Sequence, residues 1–138
     1  MSKIRITYYR RMFASAALFN WTVGLVLIFA YNPFFMILDM PTVDNALFLH
    51  LFALLVLMFG LGYYWISLDP LHEISLILLG CIAKGLVFIT FVAYFYIDKV
   101  SWQLLTLVTG DLVYSFAFAE CLIFQNRVLK VSKDLLKD

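Results

Sequence analysis

The sequence predicts an all-α protein, a polytopic up-down bundle of four transmembrane helices that forms one domain over residues 1–138. Of the 138 residues, 64% are hydrophobic and only 14% are charged, whereas a soluble domain is nearer half apolar and a quarter charged. The mean hydropathy is +0.96. Four apolar segments are each long enough to cross a bilayer, which takes about 20 residues. Such a chain leaves no room for a soluble domain.

Short polar connections separate the four apolar segments. The predicted spans are Met12 to Tyr31, Asn45 to Ile66, Ile74 to Ile97 and Trp102 to Phe124. Residues 98–101 turn the third span into the fourth, and short connections favour antiparallel neighbours. Before the third span we expect Asp69 to cap the helix, with Pro70 at its first position and Glu73 in its first turn.

The first connection contains the apolar stretch NPFFMILDMP, which is bracketed by Pro33 and Pro41 and is too short to span. It could lie on the membrane interface, cover the top of the bundle as a lid, or contact another subunit. The lid is the preferred interpretation.

Basic residues set the predicted orientation. They cluster at both ends of the chain: Lys3, Arg5, Arg10, Arg11, Arg127, Lys130, Lys133 and Lys137. Residues 32–44 contain neither Lys nor Arg. The positive-inside rule therefore places both termini in the cytoplasm, in agreement with an even number of spans.

Two opposite charges, Lys84 and Asp111, lie inside the third and fourth apolar segments. An ionisable side chain at membrane depth costs about 2.5–3.5 kcal/mol on insertion scales, so it faces a partner or a cavity. At about 1.5 Å per residue, Lys84 lies about 20 Å and Asp111 about 15 Å from the turn at 98–101, and the lysine side chain covers the difference. We expect these residues to pair, either to fix helix packing or as part of a binding or proton-handling site.

Asn20, Glu120 and Tyr114 complete the set of candidate site residues. Asn20 lies within the first span, where its amide needs a partner on another helix. Glu120 projects to the opposite side of the fourth helix from Asp111, so the two carboxylates do not form a dyad. Tyr114 follows Asp111 at helical spacing.

Two stripes of helical spacing predict a binding surface. They are Gly80, Cys81, Lys84 and Phe88 on the third helix, and Asp111, Tyr114, Ser115 and Phe118 on the fourth. Facing each other, they would give a cavity floored by Lys84 and Asp111 and walled by Phe88, Tyr114 and Phe118, which is the usual composition of a small-molecule site. The alternative is that the stripes pack directly against each other.

The remaining residues favour no metal, phosphate-loop or nucleic-acid site. His50 and His72 are predicted near opposite faces of the membrane, so they cannot ligate one haem or metal. Cys81 and Cys121 lack the neighbours of a metal motif. No cofactor and no catalytic residue is indicated, and an enzyme stays a third possibility.

The Asp69–Pro70 turn, the glycines around Lys84 and the Gly110–Asp111 pair resemble the DoxX-like group of small four-helix bacterial membrane proteins. The resemblance covers most of the chain. It implies a bacterial inner-membrane protein associated with redox or quinone-linked partners, and it transfers no catalytic residue.

Two functions fit these observations. The first is binding of an apolar small molecule, a lipid or a quinone, or a role as an accessory subunit of a larger membrane complex. The second is an oligomeric small transporter or channel with a polar path lined by Lys84 and Asp111. Because one copy has only four spans, that path would need a homo-oligomer.

The topology is tested by reporter fusions. A reporter fused after Asp138 and a second reporter inserted near Asp39 should give opposite signals, since the positive-inside rule places these points on opposite sides of the membrane. The same signal at both points would contradict the predicted orientation.

Overall fold

The computed structural model describes residues 3–41 and 43–135, and every regular element in that part is an α-helix. The helices are α1 (Lys3–Phe29), α2 (Tyr31–Ile37), α3 (Leu47–Leu68), α4 (Ile74–Tyr96) and α5 (Trp102–Leu135). By length and composition, α1, α3, α4 and α5 can each cross a membrane. The chain is an all-α, multi-pass membrane protein, as the sequence predicts.

Two helices extend beyond their apolar segments. α1 begins at Lys3 rather than near Met12, and α5 continues to Leu135 rather than ending near Phe124. Hydropathy locates only the apolar part of a helix, whereas Lys, Arg, Gln and Leu all have good helix propensity and continue the helix into the polar region.

The predicted role of Asp69 as a helix cap is wrong. Its Oδ1 accepts a hydrogen bond from the Leu71 N–H at 3.3 Å, and its Oδ2 pairs with His72 Nδ1 at 2.8 Å. The carboxylate therefore closes the turn before α4, which begins only at Ile74 and whose N-cap residue, Glu73, makes no side-chain cap bond. The hydrogen bond with His72 lowers the pKa of the Asp69 carboxyl.

The spanning helices associate as two pairs, α1 with α3 and α4 with α5. Small residues bring α1 and α3 close together, as is common between membrane helices. A Cβ on Gly60 would lie 2.5 Å from Cδ1 of Trp21, and a Cβ on Gly24 would lie 2.7 Å from the side chain of Leu57. Gly110 faces Phe19 of α1, since a Cβ on it would lie 3.7 Å from Cζ of that ring.

Large side chains join the two helix pairs at one end of the bundle. We call this the terminal end, because it holds the start of α1 and the turn at residues 69–73. There the buried rings of Phe13 and Phe118 lie 4.5 Å apart, and those of Tyr63 and Phe118 lie 5.1 Å apart, between centroids. The core of the protein is therefore concentrated at the terminal end.

α2 covers the other end of the bundle, the lid end. Met36 and Ile37 of α2 are each 76% exposed, whereas Phe34 and Phe35 point into the bundle, where they line a cavity. Ser101 Oγ donates a hydrogen bond to the carbonyl oxygen of Leu38 and accepts one from an N–H in the first turn of α5. Of the three interpretations of the first connection, this arrangement supports the lid.

The contact of Tyr63 with Gly80 gives a test of this packing. A Cβ on Gly80 would lie 2.6 Å from Cε1 of Tyr63 and 3.3 Å from Cε2 of Phe118. Overpacking costs about 1–3 kcal/mol, which is at least as large as the gain of about 1 kcal/mol in helix propensity from Gly to Ala, and the two buried rings leave the new methyl group no room. Gly80→Ala should therefore lower the melting temperature in detergent.

Gly62→Ala is the matched control, because its Cβ would lie 3.7 Å from Leu76, at ordinary contact distance. This change should preserve or raise the melting temperature. Equal stability of the two variants would contradict the described contact of α3 with α4.

Candidate functional site

Lys84, Asp111 and Asn20 meet inside the bundle, and we call them the polar triad. Lys84 Nζ donates hydrogen bonds to Asp111 Oδ1 and, at 3.1 Å, to Asn20 Oδ1. Asn20 Nδ2 donates to the carbonyl oxygen of Val56 at 3.2 Å. Because these four residues lie on α4, α5, α1 and α3, one chain of hydrogen bonds joins all the spanning helices.

The Lys84 ammonium is surrounded by protein groups, and the side chain is 4% exposed. In addition to its two oxygen partners, Nζ lies 5.5 Å from the ring centroid of Phe19 and 5.3 Å from those of Tyr63 and Tyr114. A desolvated cation–π contact contributes about 2 kcal/mol. The positive charge is therefore compensated by one carboxylate, one amide oxygen and three rings.

A reciprocal contact between Cys81 and Ser115 sets the register of α4 against α5. Ser115 Oγ donates to the Cys81 carbonyl oxygen at 2.9 Å, and Cys81 Sγ donates to the Ser115 carbonyl oxygen at 3.3 Å. Since Lys84 and Asp111 each lie about one helical turn from this contact, the same register brings their side chains together.

A cavity of about 430 Å³ lies between the triad and the lid. Its walls come from every spanning helix and are apolar, with Val23, Phe52, Val87 and Leu107 as examples. Its polar lining consists of the triad and Tyr63. This volume and composition are those of sites for small molecules, which typically measure about 300–1,000 Å³.

The two ends of the cavity differ. Phe34, Phe35 and Met40 line it at the lid end. At the opposite end the cavity stops at the triad, because the buried rings of Tyr63 and Phe118 fill the centre of the bundle below it.

The side of the cavity beside α3 reaches the lipid-facing surface. Phe52 and Leu55 line the cavity, yet they are 44% and 61% exposed. α3 contacts α4 far less than α4 contacts α5. Their close contacts lie toward the turn at 69–73, where Tyr63 meets Gly80. An apolar molecule can therefore approach the cavity from the bilayer, between α3 and α4.

The structure separates Glu120 from the other predicted site residues. At the terminal end, Glu120 pairs with Arg5 at 2.8 Å and accepts a hydrogen bond from the Tyr9 hydroxyl at 2.9 Å. Its side chain is 47% exposed. Tyr114 does contact the Lys84 ammonium, and its hydroxyl donates to Ser15 Oγ at 3.0 Å.

The predicted walls of the cavity are wrong, because Phe88, Tyr114 and Phe118 do not line it. Helical spacing identified the inward face of α5 but not the direction along it. The residues after Asp111 lead to the packed terminal end, whereas the cavity follows the residues before it. The actual lining on α5 is Leu104, Leu107, Val108 and Asp111.

The wall that α3 contributes to the cavity was not predicted from the sequence. Phe52, Leu55, Val56 and Phe59 all line the cavity. Their i, i+3, i+4, i+7 spacing is the signal that could have identified them.

Comparison with protein-family models, with curated proteins and with solved structures finds no match for this chain. The DoxX-like resemblance stays a prediction. Among the described residues, no group of three His, Cys, Asp or Glu side chains is placed to hold a metal ion.

The Lys84–Asp111 pair is tested by a double-mutant cycle in detergent. Removing one partner of a buried pair costs about 3–5 kcal/mol, because the other charge is left uncompensated, while replacing both is often nearly neutral. Lys84→Met and Asp111→Leu should each lower the melting temperature strongly, and the double variant should recover much of the loss.

Lys99→Met, in the exposed turn between α4 and α5, is the control and should have little effect. Strictly additive losses for Lys84→Met and Asp111→Leu would show that the two charges do not stabilise each other.

Proposed function

We propose that the protein is a small integral membrane protein that binds an apolar molecule, a lipid or a quinone, in the cavity between its helices. The cavity itself carries the proposal: about 430 Å³ of space with apolar walls and a polar triad at one end. Such a site holds a molecule with a long apolar part and one polar end. The bilayer supplies molecules of that kind.

The cost of an empty cavity supports an occupant. If the 430 Å³ were vacant, the apolar side chains that line it would have no contact partners on that side and would lose the corresponding dispersion energy. In a membrane an acyl chain or a bound ligand fills such a space.

The packed rings favour binding over transport. Phe13, Tyr63 and Phe118 are 0%, 2% and 0% exposed and occupy the centre of the bundle between the triad and the terminal end. A polar path lined by Lys84 and Asp111 would be blocked there in one copy. A channel would therefore have to form between copies of the chain.

For localisation we propose a bacterial inner membrane with both termini in the cytoplasm. Arg5, Arg10 and Arg11 lie at the terminal end, whereas α2 at the lid end belongs to a stretch of sequence, residues 32–44, that contains no Lys or Arg. The positive-inside rule supports this orientation. The DoxX-like resemblance supports the inner membrane and a further role as an accessory subunit beside redox or quinone-linked partners.

A cavity-filling substitution tests the proposed binding. Ala83 lines the cavity, so Ala83→Phe should occupy the space and abolish retention of any apolar molecule. Ala93→Phe makes the same change at an exposed position of the same helix and should leave retention intact. Native mass spectrometry of gently extracted protein measures both.

The proposal predicts a retained lipid or quinone in the parent chain and in Ala93→Phe, but not in Ala83→Phe. The binding proposal would be contradicted if the parent chain retained no such molecule and instead conducted ions in liposomes in a way that depends on Lys84. That result would favour the transporter or channel.

A further inference from the structure

We infer that the polar end of the ligand is a neutral hydroxyl group that donates a hydrogen bond to Asp111. This inference rests on the proposed function and narrows it from apolar molecules in general to hydroxyl-bearing ones. It follows from which atoms of the polar triad are already engaged and which remain available at the cavity surface.

Most of the triad's N–H donors are engaged by the protein, and the side chains that carry them are nearly buried. Lys84 Nζ donates to Asp111 and Asn20, faces three aromatic rings and belongs to a side chain that is 4% exposed. Asn20 is 7% exposed, and its amide nitrogen donates to the Val56 carbonyl oxygen. Lys84 Nζ and Asn20 Nδ2 each have one further N–H, but the two residues are only 4% and 7% exposed, so a ligand carbonyl reaches these N–H groups less readily than a ligand hydroxyl reaches Asp111. The Tyr63 hydroxyl also lines the cavity, but it can donate to a carbonyl and to a hydroxyl oxygen alike and so does not distinguish the two head groups.

Asp111 offers the ligand an acceptor. Its side chain is 16% exposed, four times the fraction for Lys84, and it lines the cavity. Lys84 donates to Oδ1, and no other side chain that the structure describes donates to Asp111. A carboxylate has about four lone-pair sites, so the exposed part of Asp111 can accept a hydrogen bond from a molecule in the cavity.

Charge balance decides which head groups fit. Lys84 and Asp111 together carry no net charge, so an ionised carboxylate or phosphate head would place an uncompensated negative charge beside Asp111 in an apolar cavity. A hydroxyl brings no charge. In hydrocarbon it lacks a partner, and at Asp111 it gains a hydrogen bond to a charged acceptor.

Two sources supply this chemistry, a phenolic hydroxyl as in a quinol and an aliphatic hydroxyl as in a fatty alcohol or glyceride. A quinone, the oxidised form of a quinol, has only carbonyl acceptors. The inference therefore predicts that a quinone-type ligand binds in its reduced form.

Probes with apolar chains of nearly equal length test the head group. Dodecanol carries an O–H donor, methoxyundecane is its isomer without a donor, and dodecanoate carries a negative charge. Binding to the parent chain is measured by titration calorimetry in detergent, and the Ala83→Phe protein corrects for partition into micelles. A hydrogen bond to a charged group corresponds to a difference of about tenfold or more in affinity, so dodecanol should bind at least that much tighter than the ether or the anion.

A second pair, decylbenzoquinone and its hydroquinone, identifies the source. Tighter binding of the hydroquinone than of dodecanol assigns a quinol, and the reverse assigns an aliphatic alcohol. In Asp111→Asn, whose amide supplies a donor as well as an acceptor, the preference for dodecanol over the ether should shrink toward equality.

The outcomes separate the inference from the proposed function. If no probe binds better to the parent chain than to Ala83→Phe, the proposed function fails. If the probes bind but the ether, the quinone or dodecanoate binds as tightly as its hydroxyl counterpart, the function stands and the inference is overturned. The relative affinities of the probes for the parent chain decide between these outcomes, even if Asp111→Asn does not fold.

Discussion

The buried ammonium of Lys84 is the constraint on which the rest of the structure depends. A lysine in the middle of a membrane-spanning helix is tolerated only where the fold supplies compensation. Here that compensation comes from each of the other three spanning helices: Asp111 on α5, Asn20 and Phe19 on α1, Tyr63 on α3. The helices cannot separate or slide without exposing the charge to hydrocarbon. The polar triad therefore fixes the register of the bundle as well as forming one end of its cavity.

The triad divides the bundle into two unlike halves. Toward the terminal end, Phe13, Tyr63 and Phe118 fill the centre, and glycines such as Gly80 make room for their rings. Toward the lid end the same helices enclose the cavity under α2. A packed half that holds the polar groups in place, joined to a hollow half that opens toward lipid, is consistent with the proposed binding of an apolar molecule. The same division opposes a continuous aqueous path through one copy.

The sequence was most informative where one physical rule acts alone. Hydropathy located the four spans, and the cost of buried charge indicated that Lys84 meets Asp111, which the structure places in direct contact. It was least informative where two rules compete. Asp69 is a residue type that often caps helices, but its carboxylate instead forms hydrogen bonds with His72 and with the Leu71 N–H inside the turn. Helical spacing gave the inward face of α5 but not which end is packed, since that depends on side chains from other helices.

Diffraction from crystals grown in a lipid mesophase tests the central claim most directly, because it shows the triad and the cavity together in a lipid environment. The account predicts direct contact of Lys84 with Asp111 and elongated density in the cavity, ending about 3 Å from an Asp111 carboxylate oxygen. A cavity collapsed by its own aromatic side chains, or a column of water reaching Lys84 from the terminal end, would contradict it.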